Sequence, residues 1–275
     1  MDVISLSQKM RRLEIWLGEG CQPDGLIRHQ FDGPPFGHCY LTIDPTRQGE
    51  TASGNYNRVY LCGREAGVEA ASVARWIDLF TQNGVKKFFV WLSPGPDMEV
   101  ARGWLEAGGL SRVPWVRYPT LVRDGNAPVQ FRTELDIRQV TPGEIAAARE
   151  PLGKALWPEY VRSAGREGFF HYMAFDGARP VAIASLAVFE DMAYLLSAST
   201  SEADRGRGAQ QALIAARLAR AEQLGCTTAV SETLSILEHS LRNLQRAGFR
   251  EVYEKEVYAW LDPHGEERVF ARLEP

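Results

Sequence analysis

The sequence predicts a mixed α/β fold built as two similar halves, each a mostly antiparallel mixed sheet flanked by helices. Three observations predict it. Residues 168–200, GFFHYMAFDGARPVAIASLAVFEDMAYLLSAST, read as three strands divided by two turn dipeptides. The passage after them runs strand, glycine-rich loop, helix, strand, which implies a parallel pair joined by a right-handed crossover. Residues 77–113 show the order helix, glycine, strand, short helix, glycine, and 216–252 show it again.

In that echo Gly84 matches Gly225, and Gly109 matches Gly248 with a two-residue gap. Arg102 stands two before Trp104, as Arg242 stands two before Leu244. The polar stretch 123–134, RDGNAPVQFRTE, carries Gly125 and Pro128 and separates two strand-like runs, so the expected domains are 1–126 and 133–275. Residues 133–140 read as a strand, and 142–156 as a helix with proline in its first turn. Residues 157–168 form a polar helical or loop segment. The meander then places strands over 169–175, 180–188 and 192–199, split by Asp176-Gly177 and by Glu190-Asp191. Residues 209–224 carry apolar side chains at 213, 214, 218, 221 and 224, the one-sided spacing of a packed helix, with Arg217 and Arg220 expected toward solvent. Gly225 is its natural stop. A buried strand over 226–234, a helix over 239–249 ending at Gly248 and an alternating strand over 250–261 complete the series.

Composition narrows the class of function. The 275 residues are 45% hydrophobic and 24% charged, which predicts a packed core. A net charge of -4 argues against a protein whose main task is coating nucleic acid, so any polyanion site is local. Cys21, Cys39, Cys62 and Cys226 lie far apart with no CxxC pair, which excludes a zinc ribbon and points to buried reduced thiols. The N-terminus lacks the basic-then-apolar order of a signal peptide. No apolar run approaches the roughly 18 residues of a membrane span. A cytoplasmic protein is expected, a monomer or homodimer with no metal, nucleic-acid or membrane partner.

The chemistry gathers at 204–213, DRGRGAQQAL. Backbone N–H groups at a helix entry have no internal partner, and the helix dipole adds partial positive charge there. Glycines let successive N–H groups curl toward a bulky anion, and phosphate is the natural guest. Arg205 and Arg207 add fixed charges whose planar fork suits phosphate oxygens. There is no GK[ST], so a nucleotide-hydrolysing loop is excluded, and Gln211 stands where a dinucleotide fingerprint needs its third glycine.

These residues resemble the acyl-CoA loop of the GNAT (GCN5-related N-acetyltransferase) acyltransferases, Q/R-x-x-G-x-G/A. Arg205 matches the first position and Gly208 the fourth, while Gln210 stands where the family usually has a small residue. The resemblance runs through the element order of 133–262, and the first half is similar to a degenerate copy, as in tandem-GNAT proteins. It implies acetyl-CoA as co-substrate, with the amides of Gly206, Arg207, Gly208, Ala209 and Gln210 on the pyrophosphate. It also implies contacts from Leu196, Ser197, Ala198, Ser199 and Thr200 to the pantetheine arm, with an oxyanion donor among Leu196 to Ser199. The family's NL-x-x-x-GF helix implies a contact from Asn243. Many members carry a tyrosine thiolate acid where this chain has Leu244; Tyr253 or Ser240 are the substitutes, or the thiolate leaves into water.

Acyl transfer to an amine needs the amine neutral as it attacks, and a positioned base supplies about 10²–10⁴-fold. Glu232 ends the strand after the loop helix, where parallel strands splay. It is a general base, or a carboxylate that ends the strand or caps the next helix. Glu190 and Asp191 read as turn residues. His171 reads as a satisfied sheet histidine or as one facing the acceptor cleft, with Tyr172 on the other side. Residues 156–170, LWPEYVRSAGREGFF, are the expected cover over the acceptor, and 34–40, PPFGHCY, a further wall. The expected function is an acyl-CoA-dependent N-acyltransferase acting directly on a small-molecule amine in a ternary complex. The rival is a catalytically inactive acyl-CoA-binding sensor.

Overall fold

The computed structural model describes residues 2–21, 25–33, 37–46, 56–62, 70–95, 98–114, 117–125, 129 and 131–262. The chain forms two compact units, Met1–Trp16 with Pro23–Tyr118 and Tyr253–Pro275, and Leu17–Gln22 with Pro119–Val252.

The first unit begins with α1 (Val3–Cys21), whose end from Leu17 belongs to the second unit, and a meander of β1 (Ile27–Gly33), β2 (Gly37–Ile43) and β3 (Arg58–Cys62). A crossover through α2 (Ala70–Gln82) leads to β4 (Lys87–Ser93), parallel to β3. Next come α3 (Met98–Ala107), the two-residue β5 (Ser111–Arg112), and the chain's last strand, β13 (Arg250–Leu261), antiparallel to β4. Every residue of β4 is buried, so it needs a partner along each edge, and β3 and β13 supply them. Trp76, Phe80, Phe88 and Tyr258 fill the core beneath, with Phe80 and Phe88 stacked at 4.1 Å.

The second unit opens with β6 (Tyr118–Asp124) and β7 (Asp136–Gln139). The region expected as one helix over 142–156 is broken into α4 (Pro142–Ala147), α5 (Arg149–Leu152) and a 3-10 turn at Gly153–Ala155. Then follow α6 (Pro158–Ser163), β8 (Phe169–Asp176), β9 (Arg179–Phe189), β10 (Met192–Tyr194), β11 (Ala198–Thr200), α7 (Ala209–Gln223), β12 (Thr228–Glu232) and α8 (Glu238–Arg246). The strand order is β6-β12-β10-β9-β8-β7, with β11 also on β9; β10 and β12 are parallel and the other neighbours antiparallel. Leu213, Ile214, Leu218 and Ala221 of α7 pack on this sheet.

The echo in the sequence is a repeat in structure. Gly84 and Gly225 both end a helix in the left-handed region, at φ +74° and +75°. Their hydrogen bonds match: Gly84 N to Thr81 O and Val85 N to Phe80 O, against Gly225 N to Glu222 O and Cys226 N to Ala221 O. That is the Schellman pattern, whose left-handed turn residue is most often glycine because it has no Cβ. The regions of Gly63 and Gly67, expected as the first half's counterpart of the loop, lie outside the described residues.

The expected division at 126/133 is crossed by a strand in each direction. From Pro119, β6 belongs to the second unit, with Thr120 opposite Glu232 on β12. From Tyr253, β13 belongs to the first. Each half in sequence therefore lends its final strand to the other unit, which no local pattern announces.

Thr141 gives α4 a full capping box: its Oγ1 accepts from Glu144 N at 3.3 Å, and Glu144 Oε2 accepts from Thr141 N at 2.8 Å. Thr141→Ala is expected to destabilise the protein by about 1 kcal/mol, read as a lower urea midpoint with unchanged slope.

Candidate functional site

The site grows from one break in the second sheet. β10 pairs with β9 through Tyr194↔Ala187, whereas β11 resumes with Ala198↔Ala184. Leu195, Leu196 and Ser197 thus oppose only Leu186 and Ser185, a one-residue β-bulge. The single strand expected over 192–199 is two strands for this reason. On its other edge β10 runs parallel to β12 as far as Tyr194↔Val230, with Leu195 N donating to Val230 O at 2.8 Å. Beyond Ser231, whose Oγ donates to Leu195 O at 3.1 Å, the two strands part.

Arg217 lies against the bulge. Its charge predicted exposure, yet it is 2% exposed, since 217 falls within the stripe of 213, 214 and 221. Its Nη1 donates to Ser185 O at 2.9 Å and Leu196 O at 2.7 Å, and its Nε to Leu213 O at 3.0 Å. Burial pulls the guanidinium down to about 10.

After β11 the chain makes a 3-10 turn, Glu202–Asp204, and enters α7 through Gly206 and Gly208, at φ +81° and +79°. Gly208 is the N-cap, and no side chain caps this helix, in contrast with α4. Its first N–H groups are left for something other than the helix. A Cβ at Gly208 would lie 3.3 Å from Arg132 O, while one at Gly206 would meet nothing within 4 Å. Thr133 Oγ1 donates to Arg207 O at 2.9 Å and pins the turn. A cleft opens at this turn between 132–135 and 206–208. Phosphate fits the amides of such a turn.

The two loop arginines differ. Arg207 pairs with Asp176 at 2.8 Å and Asp204 at 3.1 Å. Arg179 makes a bidentate pair with Asp204, at 2.8 and 2.9 Å, and with Arg207 holds both carboxyls below their ordinary range. Asp204 is 3% exposed, so this pair fastens the loop to the β8–β9 turn. Arg207, expected at the anion, holds the loop through its Nη1, on Asp176 and Asp204. Arg205 is exposed and forms no ion pair among the described residues.

Gln210, where the family motif has a small residue, has a structural use. Its Oε1 accepts from Asn243 Nδ2 at 2.7 Å, its Nε2 donates to Ser240 Oγ at 3.2 Å, and Gln211 Nε2 donates to Asn243 Oδ1 at 3.1 Å. The Asn243 amide, expected at the pantetheine arm, joins α8 to α7. Ser240 belongs to the same junction.

Glu232 ends β12 where the strands part. Oε1 accepts from Thr120 Oγ1 at 2.6 Å and Oε2 from the Tyr194 hydroxyl at 3.2 Å. Neither partner was legible beforehand, Thr120 because it arrives on the exchanged strand β6. Leu244 is buried in the α7–α8 core. Tyr253 is buried on the part of β13 that folds with the first unit, whereas the loop and Glu232 belong to the second.

His171 is a satisfied sheet histidine: Nδ1 meets Ser185 Oγ at 2.7 Å and Nε2 meets Ser163 Oγ at 3.3 Å. Burial lowers its pKa, favouring the neutral ring. In the expected acceptor cover, Arg162 Nε donates to Cys21 O at 2.7 Å and Arg166 Nη1 to Glu19 O at 3.3 Å, so both bind the end of α1. Trp157 stays 42% exposed, stacked on Tyr160 at 5.9 Å. Of the expected wall 34–40, residues 34–36 lie outside the described residues, and Cys39 and Tyr40 are buried in the first unit. Glu190 is a turn residue at φ +53°, and Asp191 accepts from Thr227 Oγ1 at 2.9 Å. No cluster of His, Cys, Asp and Glu suited to a metal occurs among the described residues, and no described helix is long and apolar enough to cross a membrane.

In fold the chain is similar to solved GCN5-related N-acetyltransferases, one of them a tandem protein. A GCN5-related N-acetyltransferase from Kribbella flavida is similar over 96% of both chains, with TM-score 0.64 and 16% identity. A tandem GNAT protein from the clavulanic acid biosynthesis pathway matches over 96% of both chains, with TM-score 0.64 and 11% identity. A GCN5-related N-acetyltransferase from Sphaerobacter thermophilus matches over 96% of this chain and 95% of its own, with TM-score 0.59 and 15% identity. No family model and no curated protein matches the sequence.

Proposed function

We propose that this chain is an acyl-CoA-dependent N-acyltransferase that moves an acetyl group directly to the amine of a small molecule, at a site in the second unit. The observation that carries the reading is the α7 entry: a left-handed Gly208 N-cap with no side-chain cap, beside a bulged strand. A side-chain cap there would compete with the pyrophosphate for the same amides. Gly206, Gly208, Ala209 and Gln210 supply those amides, and Arg205 at the turn and Arg132 in the cleft wall are cations with no ion pair among the described residues. By strand alternation, the Ala198 and Thr200 amides face away from β9 and toward the side that β12 has left. They are the donors for the pantetheine arm.

Glu232 is the general base in this reading. Thr120 and Tyr194 fix its carboxylate at the end of β12, where it takes the proton from the attacking amine. The amine nitrogen then bonds to the acyl carbon, the carbon–sulfur bond breaks, and the thiolate leaves. With Leu244 buried, α8 supplies no tyrosine acid, so the thiolate is protonated from water.

The test is thiol release from acetyl-CoA across a panel of primary amines. Release that depends on one class of amine is the expected result. Tight coenzyme binding with no turnover on any amine establishes instead the acyl-CoA sensor, the reading that the buried Leu244 favours.

A further inference from the structure

The bulge contains a hydrogen bond that the ladder ought to make and does not. In an antiparallel pair, alternate opposite residues exchange two bonds. Ser185 N donates to Ser197 O at 3.1 Å and Ser201 N to Val181 O at 2.9 Å, so 185/197, 183/199 and 181/201 are the bonded pairs. The return bond from Ser197 N to Ser185 O is missing, and among the described residues the Ser197 N–H donates to nothing. Arg217 stands in its place, on the carbonyls of both Ser185 and Leu196. In a trans peptide the C=O and N–H point in opposite directions. With Leu196 O turned onto the guanidinium, the N–H of the same peptide, that of Ser197, is turned away from it.

We propose that Arg217 is a positioning residue: by taking the carbonyls of Ser185 and Leu196, it withdraws the Ser197 N–H from the β9 ladder and presents it to the acyl carbonyl oxygen of the thioester. The proposal rests on the acyl-transfer reading and narrows it. Four residues, Leu196 to Ser199, were candidates for the oxyanion donor. Leu196 N is engaged with Tyr194 O at 2.9 Å. The Ser199 N–H lies on the β9 side, in a bonded pair with Ile183. The Ala198 N–H points away from β9 further along, and Ser197 sits at the bulge itself, half-buried where the strands part. The cation also strengthens the donor, because a peptide whose carbonyl accepts a charged hydrogen bond is polarised at its N–H. An apolar residue at 217 over a completed ladder would avoid desolvating a guanidinium that has only carbonyls as its hydrogen-bond partners, so the arrangement favours a particular geometry over stability.

Amide hydrogen exchange and amide shifts in the full-length ¹⁵N-labelled protein test this. The Ser197 amide is expected to exchange without protection, while Ser199 is protected. In Arg217→Met the peptide returns to the ladder and Ser197 exchange slows at least about tenfold; acetyl transfer falls by roughly 10²–10³, the cost of one oxyanion donor, with KM for acetyl-CoA unchanged. Arg217→Lys, which keeps the cation with a smaller donor set, carries the same readouts at intermediate values should the methionine variant fail to fold. In the wild type, acetyl-CoA moves the Ser197 amide resonance and coenzyme A, lacking the acyl carbonyl, does not. Protection of Ser197 in the wild type, or none in the variants, overturns the proposal. If both ligands move Gly208 and Ala209 but affect Ser197 alike, the proposal is overturned while the acyl-transfer reading stands. If neither ligand moves Gly208 or Ala209, that reading falls and the proposal with it.

Discussion

Gly208→Glu is expected to lower affinity for coenzyme A by about 10²–10⁴. The substitution acts twice at one place. It sets a carboxylate at an uncapped helix N-terminus, where that carboxylate satisfies the amides a pyrophosphate would use. Losing two charge-assisted hydrogen bonds, at roughly 1.5–3 kcal/mol each, corresponds to that loss of affinity. It also places a Cβ at φ +79° and 3.3 Å from Arg132 O, so some stability is lost as well. Gly225→Ala separates the two effects, since Gly225 has φ +75° with nothing within 4 Å of its Cβ position, at the opposite end of α7. It is expected to lower the melting temperature and leave coenzyme affinity unchanged. Titration calorimetry with coenzyme A decides; wild-type affinity in Gly208→Glu would remove the loop from the site.

Glu232→Gln is expected to lower turnover by about 10² or more, within the range of a positioned base, with KM for acetyl-CoA unchanged. The amide keeps the shape and one acceptor oxygen, its NH2 donates to the other hydroxyl once that hydroxyl turns round, and it cannot take a proton. The sign with pH follows from the acceptor. Below the amine's pKa the nucleophile is an ammonium that must lose a proton, so the deficit is largest there. Above that pKa the amine is already neutral, and the variant approaches the wild type. A pH–rate profile in the variant that parallels the wild type would leave Glu232 as a strand-ending carboxylate only.

Much of this protein was readable locally. The meander at 169–189, the helix from Ala209 and its stop at Gly225 depend on periodicity and on φ values that only glycine adopts easily, and both are properties of short stretches. The loop was recognisable for the same reason. The role of Arg217 was misread from residue type. Its position, four after Leu213 and three after Ile214, lay in the buried stripe, but a guanidinium on that stripe looks solvated until two bulged carbonyls are brought to it. Gln210 was unexplained because its partners, Ser240 and Asn243, are at least 30 residues away.

The sequence by itself determined most of the order of elements in the second half, the left-handed glycine turns and the glycine entry to α7. Tertiary structure decided which strand closes which unit, that Arg207 spends its charge on Asp176 and Asp204, and that Thr120 holds Glu232 across 112 residues of chain. The physical reason is range. Backbone conformation answers to neighbours a turn away, whereas strand edges, buried carbonyls and carboxylates take whichever partner the completed sheet sets beside them.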